Sequence, residues 1–226
     1  MPTSEPDLVF KADAKAEGKQ VVLGGWECRG RTPTTQARWF SMEITEAQAP
    51  WFFPKGEPYR AIAPLELLAT VVCTVMFKRP EHAGRHDVMH LISGATDNQG
   101  NSYVVAKLMS SRYPLSVVAM ELASQLESSL QWLDLVWTPR EDNHEADALT
   151  NGDFSAFDPK LRIHATFEDL PFIVLGKLLE AGAALEGTLT GLKAKLTPGP
   201  AGLAPRRPGK RQQRGGPRPP GQAASS

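Results

Sequence analysis

The sequence is poor in the features that mark secreted and membrane proteins. Its two cysteines, Cys28 and Cys73, are too few for a disulfide framework and form no CxxC pair, so we expect an intracellular protein, nuclear or cytoplasmic. Residues 1–10 lack the charged and then apolar pattern of a signal peptide, which argues against secretion. The longest apolar stretch, 65–77, is interrupted by polar residues and is shorter than the roughly 20 residues of a membrane span, so no membrane partner is expected.

The chain also lacks net charge, but this neutrality is a cancellation. Its 226 residues include 25 Lys and Arg and 25 Asp and Glu. Six of the basic residues and none of the acidic ones lie in 198–226, so residues 1–197 carry a net charge of −6 and the C-terminal segment carries +6. The sequence therefore predicts an acidic body followed by a basic extension.

The basic extension has the composition of a disordered tail. Residues 198–226 contain seven Pro and six Gly and only one large aliphatic residue, so they cannot bury enough surface to fold. The cationic run consists of Arg206, Arg207, Lys210, Arg211 and Arg214. These side chains suit salt-sensitive phosphate contacts that do not depend on base sequence. The same run is typical of a nuclear localisation signal, or of a solvated tail with no role.

The body has enough apolar residues for a core, since 41% of the chain is hydrophobic and 22% is charged. Runs at 8–13, 20–26 and 38–44 predict an antiparallel meander of three strands. Helical spacing of apolar residues then begins at Pro64 and continues to 77. Further strands are predicted at 89–95 and 133–137, and further helices at 98–109, 114–130 and 143–150.

This order, βββ-α-β-α-α-β-α, predicts an α/β fold. Its mixed five-stranded sheet has three antiparallel strands and then parallel strands, flanked by helices. We assign the domain to 1–160 and expect 161–197 to be an extension packed on it, with a strand at 161–167 and a helix at 170–196. The disordered tail is 198–226.

Four carboxyl groups occupy positions where the pattern favours burial or a strand end. Asp13 ends the first predicted strand, Glu66 lies in the first turn of the most apolar helix, Asp97 follows strand 89–95, and Asp147 lies in helix 143–150. Each position has an ordinary alternative: a solvated strand end, a helix N-terminal Glu, a helix N-cap, and the solvent face of a short helix.

Taken together, the four carboxylates suggest a metal site. Carboxylates that converge repel one another, and hard divalent cations remove that repulsion. Oxygen-only ligands favour Mg²⁺ or Mn²⁺ over zinc, and a pair of such ions supports phosphoryl transfer.

Two motifs connect these acids to a known family. Residues 136–149 read VWTPREDNHEADAL and match the pattern Arg-Glu-x-Asn-x-x-Ala-Asp-x-Leu, and Asp97 stands in the motif TDNQ at 96–99. With Asp13 and Glu66, these motifs resemble the ribonuclease H family, in the version found in RNase H-like domains that follow reverse transcriptases in retroelements. The resemblance covers roughly 8–151, about two thirds of the chain.

The resemblance implies a two-metal endonuclease that hydrolyses the RNA strand of RNA–DNA hybrids. The implied catalytic and metal-binding residues are Asp13, Glu66, Asp97 and Asp147, with two Mg²⁺ or Mn²⁺ ions as the cofactor. The implied nucleic-acid contacts in the body are Asn98, Arg140 and Asn143. A reverse transcriptase domain in a longer parent protein is the corresponding partner.

One family feature is missing. Many members carry a histidine on the loop before the last helix, whereas Trp137 stands ten residues before Asp147, and His144 falls within the start of the helix. A second class of function is therefore open, a catalytically inactive RNase H-like remnant that binds nucleic acid. A third class, an interaction module without catalysis, requires the four carboxyl groups to lie far apart.

Two features of the first 60 residues have competing interpretations. The aromatic cluster favours core packing or loop anchoring over base stacking; its members are Trp26, Trp39, Trp51, Phe52 and Phe53. Gly24 and Gly25 suit either close approach of a nucleic-acid backbone or a β-bulge.

Overall fold

Five strands and the helices between them follow the order that the sequence predicts. The computed structural model describes residues 8–78, 89–178 and 181. The strands are β1 (Phe10–Glu17), β2 (Gln20–Glu27), β3 (Trp39–Ile44), β4 (His90–Thr96) and β5 (Gln131–Trp137). The helices between and after them are α1 (Ile62–Met76), α2 (Gln99–Lys107), α3 (Leu115–Ser128) and α4 (His144–Thr150).

The strands form one mixed sheet in the order β3-β2-β1-β4-β5. The pairs β3–β2 and β2–β1 are antiparallel, and the pairs β1–β4 and β4–β5 are parallel. The predicted α/β fold class, with three antiparallel strands and then parallel strands flanked by helices, is confirmed.

The parallel pairing of β1 with β4 is short, and the site depends on this. The recorded pairs are Phe10 with Gly94 and Lys11 with Ala95, while β1 continues to Glu17 along β2. The second half of β1 therefore has a partner strand on one side only among the described residues, and an opening lies on its other side.

Helix α1 covers one face of the sheet. Alternate residues of β1 point to this face, since successive side chains of a strand point to opposite sides, and Phe10, Ala12 and Ala14 join the larger core cluster with α1 and α3. A 3-10 turn at Pro58–Ala61 leads into α1, so Pro64 is its third residue rather than its first.

One helical stretch of the described residues, Pro58–Met76, is long and apolar enough to cross a membrane. Its α1 portion is instead a core helix, because ten of its residues are buried against the sheet and α3. The strong apolar character of this stretch is thus explained by burial on several sides.

Helix α4 covers the other face, over β1 and β2. A smaller aromatic cluster packs there around Trp26, Trp39 and Phe157. Since Trp26, Trp39, Phe52 and Phe53 are all buried, core packing is confirmed as the use of most of the aromatic cluster, and Trp51 is half-buried against it.

The two neighbouring glycines of β2 let helices approach both faces of the sheet. The register of β2 with both neighbours is continuous, so there is no bulge. A Cβ on Gly24 would lie 3.0 Å from Leu149 Cβ of α4, and one on Gly25 would lie 2.5 Å from Cys73 Sγ of α1. Protein, rather than nucleic acid, makes the close approach.

The extension after residue 160 differs from its prediction. The predicted strand at 161–167 is wrong: one bridge joins Arg162 to Trp39, and a 3-10 turn follows at Phe167–Asp169. The predicted helix at 170–196 begins at residue 174, and its described part continues to 178. The chain divides into the units Met1–Leu185 and Glu186–Ser226, and the second lies outside the described residues.

Buried Glu121 of α3 anchors the start of this last helix. Its carboxyl oxygens accept hydrogen bonds from the backbone N–H groups of Ile173, Val174 and Leu175, and from the side-chain amide of Gln125. The first N–H groups of a helix have no partner within the helix. Glu121 therefore joins the extension to the domain while satisfying these donors.

We predict that Glu121→Ala lowers the free energy of unfolding by about 2–4 kcal/mol, because it leaves several buried N–H groups without acceptors. Denaturant unfolding and hydrogen exchange at 173–175 measure the effect. Glu127→Ala, at an exposed position of the same helix, is the matched control. Equal stability of the two variants would show that the carboxyl anchor is not needed.

We also predict that Gly25→Ala lowers the free energy of unfolding by about 1–3 kcal/mol, because the added methyl group overlaps Cys73 and Phe40. Thermal or denaturant unfolding measures this loss. The control is Gly176→Ala, where the nearest atom would lie 3.9 Å from the new Cβ and helix propensity favours alanine. A Gly25→Ala protein as stable as the control would contradict the packing described here.

Candidate active site

All four candidate carboxyl groups line one cavity. It lies beside the second half of β1, which does not pair with β4. Its lining also includes basic and polar side chains of β1 and of the α4 region. The charged and polar lining residues include Asp13, Lys15, Glu66, Asp97, Arg140, Asp147, Thr150 and Asn151. The interaction-module hypothesis required these acids to lie far apart, so their convergence argues against it.

Asp13 lies in the middle of β1, not at its end as predicted. It pairs across the ladder with Gly24 and points to the α4 face, where the hydroxyl of Thr150 donates to its Oδ2 at 2.7 Å. The run that follows Asp13 has weak β propensity, and pairing with β2 extends the strand to Glu17. The carboxyl group is consequently held on a rigid strand and is 7% exposed.

Glu66 enters the cavity from α1. It is the fifth residue of the helix rather than the third, because α1 begins at Ile62 and not at Pro64. It is therefore neither a first-turn residue nor a freely exposed one. Its Oε2 atom is buried and has no hydrogen-bond partner among the described residues.

Asp97 follows β4 directly, but Asn98 is the residue that caps α2. The side-chain oxygen of Asn98 accepts from the N–H of Asn101, so the N-cap alternative for Asp97 is wrong. The indole N–H of Trp137, at the end of β5, donates to the backbone oxygen of Asp97 at 3.0 Å. This leaves the Asp97 carboxyl group free to face the cavity, with Oδ1 buried and unpaired.

Asp147 projects from α4 and is held on both oxygens. Arg140 Nη2 donates to Oδ1 at 2.6 Å, and Asn151 Nδ2 donates to Oδ2 at 2.9 Å. Arg140 is predicted from the sequence to contact nucleic acid, whereas in the structure its guanidinium forms an ion pair with a candidate metal ligand.

The other two predicted nucleic-acid contacts in the body have structural partners. Asn143 is 1% exposed, and its side-chain amide donates to the backbone oxygen of Ala12, just past the last β1–β4 pair. This bond ties the start of α4 to β1, so the prediction of a nucleic-acid contact by Asn143 is not supported by its placement. Asn98 caps α2, and its side chain lowers the pKa of Glu66 against the larger effect of burial.

Burial raises the pKa of three of the four acids. Burial, together with the charges of Asp97 and Asp147 and against the hydrogen bond from Thr150, raises the pKa of Asp13 to about 6. Burial, together with the charges of the neighbouring Asp97 and Asp13, raises the pKa of Glu66 to about 8. Burial also raises the pKa of Asp97, opposed by the charge of Arg140.

These features fit hard cations by donor chemistry. The buried, unpaired oxygens of Glu66 and Asp97 are the kind of ligand that Mg²⁺ and Mn²⁺ prefer. Among the described residues, no group of three or more Asp, Glu, His or Cys side chains is arranged closely enough to hold an ion as it stands. An ion would therefore have to draw the carboxyl groups inward.

Several cavity residues were not predicted from the sequence, and three of them bond within the site. Thr150 and Asn151 lie three and four residues after Asp147, on the same side of a helix end, and this spacing was the available signal. Lys15 lies two residues after Asp13 and so shares its face of β1; its ammonium group bonds Asn151 and Glu17. The five basic tail residues, Arg206 to Arg214, lie outside the described part of the chain.

No protein-family model and no curated protein sequence matches this chain. Solved structures do match 65% of it. They include ribonuclease H1 of the halophilic archaeon Halobacterium salinarum NRC-1, at 17% identity and a TM-score of 0.40 over 96% of that chain. LC11-RNase H1 in complex with an RNA/DNA hybrid matches at 16% identity and a TM-score of 0.47 over 95% of its chain.

A third match is the N-terminal RNase H domain of rv2228c from Mycobacterium tuberculosis, solved as a fusion with maltose-binding protein. Its identity is 18% and its TM-score 0.39, over 92% of that chain. The fold described above is a mixed five-stranded α/β sheet flanked by helices. At these identities and TM-scores the matches carry no argument, so function is argued from the cavity residues.

The raised pKa of Glu66 predicts how stability changes with pH in metal-free protein. The folded state binds the Glu66 proton more tightly than the unfolded chain does, so stability falls as pH rises from about 4.5 to about 8. We expect Glu66→Gln to remove much of this fall and to be more stable than wild type at pH 8 by about 2 kcal/mol. This is less than the full shift would give, since solvent reaches the cavity.

Denaturant unfolding in the presence of a chelator, at pH 5 and pH 8, measures the difference. Glu43→Gln, at an exposed position of β3, should follow wild type at both values. If Glu66→Gln shows the same fall as wild type, the carboxyl group of Glu66 is not the source of the pH dependence.

Proposed function

We propose that this protein is a divalent-metal-dependent ribonuclease H that hydrolyses the RNA strand of RNA–DNA hybrids. One observation carries the proposal: the four acids that the family resemblance selects, far apart in the sequence, line the same cavity. The charges of Asp97 and Asp147 help to raise the pKa of Asp13, and those of Asp97 and Asp13 help to raise the pKa of Glu66. Placing carboxyl groups that repel one another in a partly buried cavity destabilises the folded state, so stability alone does not explain this arrangement.

The residues that would hold the ions are Asp13, Glu66, Asp97 and Asp147. When bound, two divalent ions supply electrostatic stabilisation of the attacking and leaving oxygens in phosphodiester hydrolysis. The protein contributes rigid placement: Asp13 is fixed by a strand and Thr150, Glu66 by a buried helix, and Asp147 by Asn151. Among these groups Asp13 is the most shielded from bulk water, at 7% exposed, which strengthens electrostatic contacts at its carboxyl group.

Basic groups beside the acids suit a phosphate backbone. Lys15 and Arg140 both line the cavity, and Arg140 has a side chain that is 76% exposed. The cationic tail would add sequence-independent contacts that weaken with salt. Trp137, at the position where a histidine is common in the family, is half-exposed and has an aromatic face suited to stacking.

The wider context is part of the same proposal. The Arg-Glu-x-Asn-x-x-Ala-Asp-x-Leu motif at 140–149 resembles the retroelement version of the family, which favours a retroelement origin and a reverse transcriptase domain as a partner in a longer parent protein. The cysteine content favours an intracellular setting, nuclear or cytoplasmic.

We predict that Asp97→Asn lowers the rate of hybrid cleavage by at least a factor on the order of 100, because a neutral amide cannot replace a charged metal ligand. Cleavage of a labelled hybrid with Mg²⁺ or Mn²⁺ measures the rate, and fluorescence anisotropy measures binding. The control is Asp134→Asn, an identical change at an exposed position of β5, which should retain wild-type rate.

The same assay separates the proposal from its main alternative. Wild-type protein that binds the hybrid but leaves it intact with either metal would be a binding remnant, the second function class, and not a nuclease. The ion pair between Arg140 and Asp147 is the observation that favours this alternative, since it occupies one of the candidate ligands.

A further inference from the structure

We propose that Arg140 is an internal counter-ion of the metal site. It holds Asp147 when no divalent ion is bound, and it must release Asp147 for an ion to bind. This inference rests on the proposed function and assigns a positioning role to a residue that the sequence motif marks only as a nucleic-acid contact. Its basis is the placement of one guanidinium group among four carboxyl groups.

The first observation is the pairing itself. The Nη2 atom of Arg140 lies 2.6 Å from Oδ1 of Asp147, and the charges of Asp13 and Asp97 also act on the guanidinium. Among the described residues, this is the one ion pair made by any of the four candidate ligands. Arg140 therefore already supplies positive charge at the place where a cation is expected.

The second observation is that the nearby lysines of β1 have other partners. Lys15, which lines the cavity, bonds Asn151 and Glu17. Lys11, on the same face of β1 but outside the cavity lining, bonds Glu145 and the backbone oxygen of Asp142. Neither lysine pairs with a candidate ligand in the described structure. Competition with a bound ion consequently falls on Arg140.

The third observation is that Arg140 can leave at small cost. It belongs to a short 3-10 turn, Arg140–Asp142, ahead of α4, and its side chain is 76% exposed while that of Asp147 is 32% exposed. Exposed ion pairs contribute roughly 0–1 kcal/mol. Asn151 keeps its own bond to the other oxygen of Asp147, so the carboxyl group stays oriented when the arginine departs.

These facts define an exchange. In metal-free protein Arg140 offsets part of the repulsion within the cavity, and a divalent cation displaces it from Oδ1 of Asp147 because both require the same oxygen. The released guanidinium then stands at the cavity mouth, where it can bind a substrate phosphate as arginine commonly does. The nucleic-acid contact expected of Arg140 thus becomes available only after the exchange.

The test is Mn²⁺ affinity of metal-stripped, full-length protein, measured by isothermal titration calorimetry. Arg140→Gln removes the competing charge, so its Mn²⁺ dissociation constant should fall about two- to fivefold, the range expected for loss of an exposed ion pair. Arg140→Lys keeps a weaker competitor and should fall between that variant and wild type.

Two controls make the result specific. Arg112→Gln removes an equal charge at an exposed position beyond the far end of α2, about 13 Å of helix away from the Asp97 end, and should leave Mn²⁺ affinity unchanged. In an Asp147→Asn background the effect of Arg140→Gln should disappear. If the effect persists there, Arg140 acts through general charge repulsion and the exchange proposal is overturned.

The outcomes also distinguish this proposal from the proposed function. Wild type that binds no Mn²⁺, or binds it equally well after Asp97→Asn, would overturn both. Wild type whose binding is weakened by Asp97→Asn but whose affinity is unaltered by Arg140→Gln would overturn the exchange alone and leave the metal site standing.

Discussion

Repulsion among four carboxyl groups in one cavity is the constraint that the surrounding structure must satisfy. Burying a charged carboxylate without a partner costs several kcal/mol, and crowding several of them adds to that cost. The protein offsets part of it locally, with Thr150 on Asp13, Asn98 on Glu66, and Asn151 and Arg140 on Asp147. The buried oxygens left unpaired on Glu66 and Asp97 mark where the protein's own partners are insufficient.

The fold supplies such a cavity through one departure from regular pairing. Because β4 stays with β1 for only two recorded pairs, the second half of β1 borders an opening that acids from both faces of the sheet can reach. At this point the side-chain amide of Asn143 donates a hydrogen bond to the backbone oxygen of Ala12. Gly24, which has no side chain, lets α4 lie close to the sheet. Asn143 and Gly24, which have structural roles, therefore place α4 so that Asp147 lies near Asp13.

Alternation and helical spacing in the sequence predicted the strand and helix order. Strand ends, the most apolar helix and two motifs selected four acids as candidates, and the structure brings these four to one cavity. These patterns did not predict what depends on distant partners. The weakly β-prone residues after Asp13 are strand because β2 pairs with them, and 161–167 is not strand because it meets β3 at a single bridge. The ion pair between Arg140 and Asp147 could not be predicted from the sequence either. A 3-10 turn and the start of a helix lie between the two residues, and sequence spacing across such a junction does not determine whether their side chains face each other.

The charge balance of the chain follows from the same constraint. The acidic body, at −6, would repel a nucleic acid most strongly at the cavity, where its acids are concentrated. On the proposed function, two bound divalent ions bring the body's formal charge to −2, and the exchange returns a guanidinium to the cavity mouth. Metal binding then does more than supply reaction chemistry: it turns a surface that repels phosphate into one that accepts it, while the +6 tail offers a separate contact that salt would weaken. A substrate would consequently be admitted to the acids only when the ions that neutralise them are in place.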